Sequence, residues 1–126
     1  MFAKCKVGNI CYYVKDIVKT EKFYRDTLGL PVDNMGDDGQ GNDFLIAHTS
    51  GGIDLLFFQM EGTAGSSPII VFEMAAGGID AAVDGLAKAG ATIVTPVSHA
   101  PGGWSAEFAD PDGHVLSMYQ DESQPR

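Results

Sequence analysis

The side chains that could do chemistry in this sequence are few and widely separated. Asp54 and Glu73 are carboxylates that could act as acid, base or metal ligand, and Cys11 is a soft thiol donor. None of the three histidines stands beside another ligand type at a spacing typical of a metal site. A Cys–His nucleophilic pair would therefore require the fold to bring Cys11 to one of them.

The sequence around each histidine predicts a structural place for it. His48 stands at a strand end before Thr-Ser-Gly-Gly, His99 lies in a loop rich in Pro and Gly, and His114 begins the last predicted strand. Side chains in such places are usually exposed or pack within turns. We therefore expect all three histidines to be exposed to solvent or packed in turns.

The elements that must position these residues occur twice in the chain. Gly52 is followed by Ile-Asp-Leu-Leu-Phe-Phe-Gln, and Gly113 is followed by His-Val-Leu-Ser-Met-Tyr-Gln, so that Gln59 matches Gln120 at an offset of 61 residues. Halves of about 60 residues bury too little surface to be stable alone. We expect the two halves to pack together around a shared cleft, and we expect the function to lie there.

In the first half, a β-rich segment at 7–15 is followed by Asp16, a suitable N-cap for a helix that ends at Gly29. Ile17, Tyr24 and Leu28 should share one face of that helix. The pattern then predicts a short strand after Pro31, a Gly/Asp-rich turn at 36–41, and strands at 43–48 and 53–60. Residues 61–67 are the only linker candidate.

The second half repeats this order. A strand at 68–74 precedes a helix that Gly90 ends, with Ile79, Ala82, Val83 and Leu86 at helical spacing. Strands follow at 92–97, 104–109 and 114–120, the last after an Asp110-Pro-Asp-Gly turn. The predicted fold class is α+β, with two tandem βαβββ modules at 5–60 and 68–120 inside one domain, 1–126. The tail 121–126 is expected to fray.

Composition narrows the class of protein. The chain has 126 residues, of which 44% are apolar, as expected for one compact domain without a membrane span. Its first residues lack the apolar core of a secretory signal, so we expect a cytoplasmic protein. Cys5 and Cys11 are roughly 20 Å apart on one predicted strand, which is too far for a disulfide, and are expected to be reduced thiols.

The charge argues against nucleic acid and anionic partners in general. The formal net charge is −9, and six of the eight basic residues fall within the first 25 positions. Phosphate backbones need clustered Lys and Arg, whereas these basic residues fit a solvated strand edge and helix face. A small neutral or cationic ligand is the expected partner, with neither nucleic acid nor membrane.

Several segments carry a resemblance to a known family. They are Val-Lys-Asp at 14–16, Lys-Phe-Tyr-Arg-Asp-Thr-Leu-Gly-Leu at 22–30, and Asp-Pro-Asp-Gly-His at 110–114, set within the two βαβββ modules. In this arrangement the chain resembles the vicinal oxygen chelate superfamily, which includes glyoxalase I, bleomycin-resistance proteins, extradiol dioxygenases and fosfomycin-resistance enzymes. The resemblance implies a cup-shaped sheet cleft shared by the modules, and a homodimer.

The resemblance also implies where a metal would be held. Metal-dependent members take His, Glu or Gln ligands from the first and last strands of each module. The matching positions in this chain are Asn9, Leu56, Ile69 (or Ile70 if the register slips by one) and Ser117. Leu and Ile supply no donor atom, so the standard metal site is absent and we expect no cofactor. This departure disfavours glyoxalase, dioxygenase and fosfomycin-type activity together.

Strand alternation predicts which other side chains face the cleft. A nonstandard metal site remains an alternative if Asp54, Glu73 or Cys11 supply ligands there. The predicted ligand-binding cleft combines aromatic, aliphatic and polar side chains: Asn9, Tyr13, Asp54, Leu56, Phe58, Ile69, Glu73, Trp104, Ser117 and Tyr119. Trp104 is included because Gly102 and Gly103 should place it in a mobile loop.

Three hypotheses about function follow. The first is a metal-free binding protein similar to the bleomycin-resistance type, which sequesters a small aromatic or cationic compound. The second is a lyase or dioxygenase of the same superfamily with a nonstandard metal site. The third is a metal-free isomerase or hydrolase that uses Tyr13, Glu73 or Tyr119 as acid or base. A glutathione-dependent role is disfavoured, because Asp54 and Glu73 would repel the carboxylates of the tripeptide.

Overall fold

The computed structural model of the chain describes residues 2–61, 67–109 and 113–126. These residues form two compact units, one within 8–69 and the other made of 2–7 and 70–126. The first unit is built on β1 (Lys6–Val14), α1 (Ile17–Lys22), a π-helical turn (Phe23–Thr27), β2 (Val32–Asp37), β3 (Asp43–Ala47) and β4 (Asp54–Gln59). The second is built on β5 (Ile69–Glu73), α2 (Ile79–Lys88), β6 (Thr92–Ala100), β7 (Gly103–Ala109) and β8 (Val115–Asp121). We call these two sets of elements the first and second modules; Lys6 and Val7 of β1 fall within the second compact unit, and Ile69 of β5 falls within the first.

The two modules have the same strand topology. The strand order is β2-β3-β4-β1 in the first module and β5-β8-β7-β6 in the second. In each, the first strand pairs in parallel with the last, and the other neighbours are antiparallel. A parallel pair needs a crossover, which the helix of each module supplies. The prediction of an α+β chain with two βαβββ modules is confirmed.

In each module, a glutamine near the end of the last strand accepts a hydrogen bond from the first residue of the helix. Gln59 accepts a hydrogen bond from the Ile17 backbone N–H at 2.8 Å, and Gln120 accepts one from the Ile79 backbone N–H at 2.9 Å. The first N–H groups of a helix have no partner inside the helix, so a side-chain oxygen there stabilises its beginning. The repeated glutamine in the sequence therefore marks a repeated helix–strand connection.

The two helices differ in their own caps. Asp16 caps α1 as predicted, since its carboxylate accepts from the Val18 and Lys19 backbone N–H groups at 3.1 Å each. In α2 the cap position is Gly78, which has a φ of +83° and no side chain to accept a hydrogen bond. The beginning of α2 therefore depends more heavily on Gln120.

The predicted continuous helix up to Gly29 is wrong in its second half. Regular α-helix ends at Lys22, and the chain continues as a π-helical turn in which the Leu28 N–H donates to the Phe23 carbonyl at 3.0 Å. A π turn holds more residues than an α turn and so rotates the following side chains. Leu28 is consequently 50% exposed instead of sharing the buried face of Ile17.

Each module buries an apolar cluster between its helix and its sheet. In the first module the buried members are Ile17, Leu45, Ala47 and Phe57. In the second they are Ile79, Ala82, Ala106, Phe108 and Met118. These clusters identify the helix side of each sheet.

Some predictions fall outside the described residues or concern single features. Most of the linker candidate, 62–66, and most of the predicted turn, 110–112, lie outside them. Cys5 and Cys11 form no disulfide. Among the described residues, no helix combines the length and apolar character needed to cross a bilayer.

Candidate functional site

The first module carries a second set of side chains on the side of its sheet away from α1. Phe57 lies in the core on the helix side, and side chains alternate along a strand. The cross-strand pairs Cys11–Leu56 and Tyr13–Phe58 therefore lie on the other side. We call this the helix-free face of the first module, and its residues are Asn9, Cys11, Tyr13, Phe44, Ile46, Asp54, Leu56 and Phe58.

One end of the helix-free face is aromatic. Phe44 and Phe58 are cross-strand partners whose rings stack at a centroid distance of 5.1 Å with an angle of 8° between their planes. Tyr13 is the partner of Phe58 on the other neighbouring strand. The three side chains lie side by side across β3, β4 and β1, but Phe44 is only 5% exposed, so the aromatic area open to stacking comes from the partly exposed Tyr13 and Phe58.

The other end of the helix-free face is acidic. The two ring nitrogens of His48 lie 3.1 Å from an Asp54 oxygen and 2.8 Å from an Asp33 oxygen. Hydrogen bonding to Asp33 is the main reason why the pKa of His48 is raised above 6.5. The hydrogen bond to Asp54 adds to it, and partial burial opposes both. Even with a protonated imidazole, the three side chains together keep a negative charge.

His48 is the residue of this site that reasoning from sequence missed. Its side chain is 40% exposed, in agreement with the prediction, but it also joins two carboxylates, which the sequence did not predict. The useful signal would have been strand register. Asp33 pairs with Ile46, and His48 comes two residues after Ile46, so Asp33 and His48 lie on the same side of the sheet. That register depends on a β-bulge between Asn34 and Gly36, which the sequence does not reveal.

The second module places three of the other predicted residues, Glu73, Ser117 and Tyr119, on its own helix-free face. Val71 pairs with Ser117, and Glu73 pairs with Tyr119, on the side opposite the core residue Met118. The Ser117 hydroxyl is buried and donates to the Ala106 carbonyl at 3.1 Å. A hydroxyl held in this way stabilises the sheet and is not directed at a ligand.

The two candidate acid–base residues of the second module are also engaged. The Glu73 carboxylate lies 3.6 Å from the Lys6 ammonium. The Tyr119 hydroxyl donates to the Pro101 carbonyl at 2.9 Å. Burial raises the pKa of Tyr119 above 10, and the nearby carboxylates of Asp121, Glu122 and Glu73 raise it further. Tyr119 is therefore a poor base near neutral pH.

The expected loop position of Trp104 is wrong. Trp104 lies in β7 opposite Gln120 and packs against the core cluster of the second module, so it shares no face with Ser117 and Tyr119. His99 was also expected in a loop, but β6 extends to Ala100 and places the imidazole on the Trp104 ring at 3.9 Å. The Arg126 guanidinium lies 4.0 Å from the same ring. The short Gly-Gly segment supports a tight strand connection, not a mobile loop.

Comparison with known proteins identifies the family. A family model described as the Glyoxalase/Bleomycin resistance protein/Dioxygenase superfamily matches residues 6–118. The chain belongs to this superfamily. The resemblance seen in the sequence is thereby confirmed at the level of the superfamily. No curated protein matches the sequence.

Solved structures share the superfamily fold at low sequence identity. A hypothetical protein from Bacillus halodurans C-125 aligns with a TM-score of 0.74 and 17% identity over 98% of this chain and 99% of its own. Methylmalonyl-CoA epimerase from Mycobacterium tuberculosis gives 0.72 and 15% over 96% and 93%. The Mn(II)-bound glyoxalase from Novosphingobium aromaticivorans gives 0.63 and 20% over 93% and 40%. These likenesses describe the fold alone.

The superfamily resemblance assigns four positions to metal ligands, two in each module. The strand pairing shows which position in the first module corresponds to which position in the second. Cys11 pairs with Leu56 in the first module as Val71 pairs with Ser117 in the second. Asn9 lies two residues before Cys11, so it corresponds to Ile69 and not to Ile70. Ile69 is 3% exposed.

The residues at these four positions do not fit a divalent metal. Leu56 and Ile69 have no donor atoms. The Asn9 side-chain oxygen accepts from the Cys11 thiol at 3.3 Å, and the Ser117 hydroxyl is directed at a backbone carbonyl. Within 2–61, 67–109 and 113–126, no three His, Cys, Asp or Glu side chains are grouped so that they could hold a metal. These four positions therefore lack the ligands that a metal-dependent member of the superfamily would need there.

Proposed function

We propose that this chain is a small-molecule-binding member of the superfamily that sequesters a planar aromatic cation without a metal. The observation that carries the proposal is the helix-free face of the first module, where a row of aromatic side chains and a pair of carboxylates lie on one surface. Aromatic rings supply contact area, and a few charged groups fix orientation.

The spacing of the two ends limits the ligand. Asp54 and Phe58 are four residues apart on β4, which is about 13 Å at roughly 3.3 Å per residue. Leu56 lies between them on the same face and offers apolar contact. A ligand that touches both ends therefore needs two or more fused rings, or a ring with an extended cationic arm.

The charge of the acidic end favours a cation. Asp33 and Asp54 together carry more negative charge than a protonated His48 can neutralise, and the whole chain has a net charge of −9. A cation gains from the carboxylates at one end and from the electron-rich faces of the aromatic rings at the other. Anionic ligands are disfavoured on this face for the same reason.

Direct titration with matched dyes tests the proposal. We expect the planar cation proflavine to raise the melting temperature in the presence of EDTA, and the neutral ring system acridine to bind more weakly. Asp54→Asn should weaken proflavine binding about five-fold, the effect of roughly 1 kcal/mol for one partly exposed charge, and leave acridine unchanged.

The matched control is Asp26→Asn, which removes a carboxylate from the π-helical turn. It should leave proflavine binding unchanged. Equal losses from Asp54→Asn and Asp26→Asn would mean that the dye responds only to overall charge, and the proposal would then fail. Binding that requires added Ni, Zn, Mn or Fe, or a stoichiometric metal in the purified protein, would instead support the metal-dependent alternative.

A further inference from the structure

An open surface cavity of about 330 Å³ lies on the helix side of the first module, against α1 and the π-helical turn. Its lining includes four aromatic rings and two polar side chains: Tyr12, Phe23, Tyr24, Phe57, Lys19 and Thr20. The volume is at the lower end of the range of about 300–1,000 Å³ in which small-molecule sites fall. It suits a ligand of one or two rings.

The aromatic rings form a floor and an outer wall. Phe57 is 1% exposed, with Tyr12 stacked on it at 5.5 Å and Tyr24 tilted against it at 4.4 Å. Phe23 meets Tyr24 edge to face at 5.3 Å and is 49% exposed. Half of a phenyl side chain thus remains in water beside an apolar cavity, where an inserted aromatic ring would bury it.

The polar groups at this cavity have hydrogen-bonding capacity to spare. Among the described residues, the Lys19 ammonium has no carboxylate partner, and the hydroxyls of Tyr12 and Tyr24 make no hydrogen bond. Burial raises the pKa of Tyr24 above 10, and the neighbouring Tyr12 raises it further, so its phenol remains a proton donor at neutral pH. An ammonium and phenol donors together suit a carboxylate.

The local charge differs from that of the rest of the chain. Residues 15–27 contain four basic and three acidic side chains, a local charge of +1 within a protein of −9. Two of those acids, Glu21 and Asp26, are paired with Arg25. The third, Asp16, accepts from backbone N–H groups at the helix start. The lysines of this segment therefore keep their charge available to a ligand.

We propose that this cavity is a second ligand site, which binds a small aromatic carboxylate with its rings among the four aromatic side chains and its carboxylate at Lys19. The site is separate from the helix-free face, and the two differ in the sign of charge that they prefer. Neither proposal depends on the other, because they use opposite sides of the same sheet.

Binding of 2-naphthoate, with neutral 2-naphthol as the matched ligand, tests this site by calorimetry. Lys19→Met keeps most of the apolar stem and removes the charge. It should weaken 2-naphthoate binding about five-fold, as expected for one partly exposed charge pair, and leave 2-naphthol unchanged. Lys22→Met is the control variant, since Lys22 is exposed on α1 and does not line the cavity.

Three results would overturn the proposal. They are no detectable binding of 2-naphthoate at millimolar concentration, binding that Lys19→Met leaves unchanged, and equal losses from Lys19→Met and Lys22→Met. All of these variants change exposed side chains and should fold, which circular dichroism can verify. Proflavine binding should not compete with 2-naphthoate, so failure at one site is distinguishable from failure at the other.

Discussion

The helix sides of the two modules use the same elements and are filled differently. In the second module, Ile79 and Met118 are fully buried, and the small side chains of Ala82 and Ala106 allow close packing around α2. In the first, α1 has six residues followed by a π-helical turn, and bulky aromatic side chains leave the cavity beside it. The helix–strand connection is thus the same in both modules, and the described residues of the first leave an open cavity beside α1. It is this cavity that we propose as a second ligand site.

The largest expected difference between the modules concerns Gln59 and Gln120, the two glutamines that accept a hydrogen bond from the start of a helix. Gln120 is fully buried, and its side chain also donates to the Gln124 carbonyl at 3.0 Å, whereas Gln59 is exposed. Gln120→Met keeps the volume and removes the acceptor, so the buried Ile79 N–H loses its partner. We expect a loss of about 1–3 kcal/mol in the free energy of unfolding, measured by urea denaturation.

Gln59→Met is the matched variant in the first module. The Ile17–Gln59 hydrogen bond is only partly buried, so the expected loss is below about 1 kcal/mol. Equal losses from the two variants would show that the two connections are energetically equivalent, despite the different burial of their hydrogen bonds.

The next difference concerns added volume. Ala106 is 1% exposed in the filled core, so Ala106→Val should cost about 1–3 kcal/mol through overpacking. Val14 lines the cavity of the first module, so Val14→Ile adds a methylene where there is space and should gain up to about 0.8 kcal/mol. Thermal and urea unfolding of both variants measure the contrast. A clear destabilisation by Val14→Ile would mean that the cavity cannot accept even one more carbon.

The elements of the fold were largely predictable from sequence because the signals for them are local and repeated. The Asp16 cap and the apolar stripe of α2 each depend on residues close together in the chain, and the matching glutamines Gln59 and Gln120 show that the pattern repeats. The π-helical turn was not predictable, since Phe23 to Thr27 consists of ordinary helix-compatible residues. Leu28 was misplaced for that reason.

The site residues were less predictable because their grouping depends on strand register and on packing. Alternation correctly placed Asn9, Leu56 and Phe58 on one face, since that rule needs only the strand itself. It could not show that His48 would reach both Asp33 and Asp54, or that Trp104 would lie on the helix side between His99 and Arg126. The aromatic cavity was missed because Tyr12, Tyr24 and Phe57 occur at ordinary core spacing.

The smallest expected effect concerns His48, because the equivalent position in the second module is not a histidine. At the same offset of 61 residues, His48 and Asp54 correspond to Ala109 and Val115, which are cross-strand partners in the second module. The pKa of His48 is raised above 6.5 in the folded protein, mainly by Asp33. Its stabilising contribution is therefore complete below pH 6.5 and is lost as the pH rises through the folded pKa.

We expect His48→Gln to destabilise the protein at pH 5.5 by less than about 1 kcal/mol, because the cluster is partly exposed and solvent screens it. The difference in unfolding free energy between wild type and variant should shrink as the pH rises to 9, as measured by urea unfolding at each pH. His99 and His114 are present in both proteins, so to a first approximation their effects cancel in the difference. A difference that stays constant with pH would mean that His48 contributes by packing. A difference that grows as the pH rises would mean that protonation of His48 destabilises the fold, which contradicts the prediction.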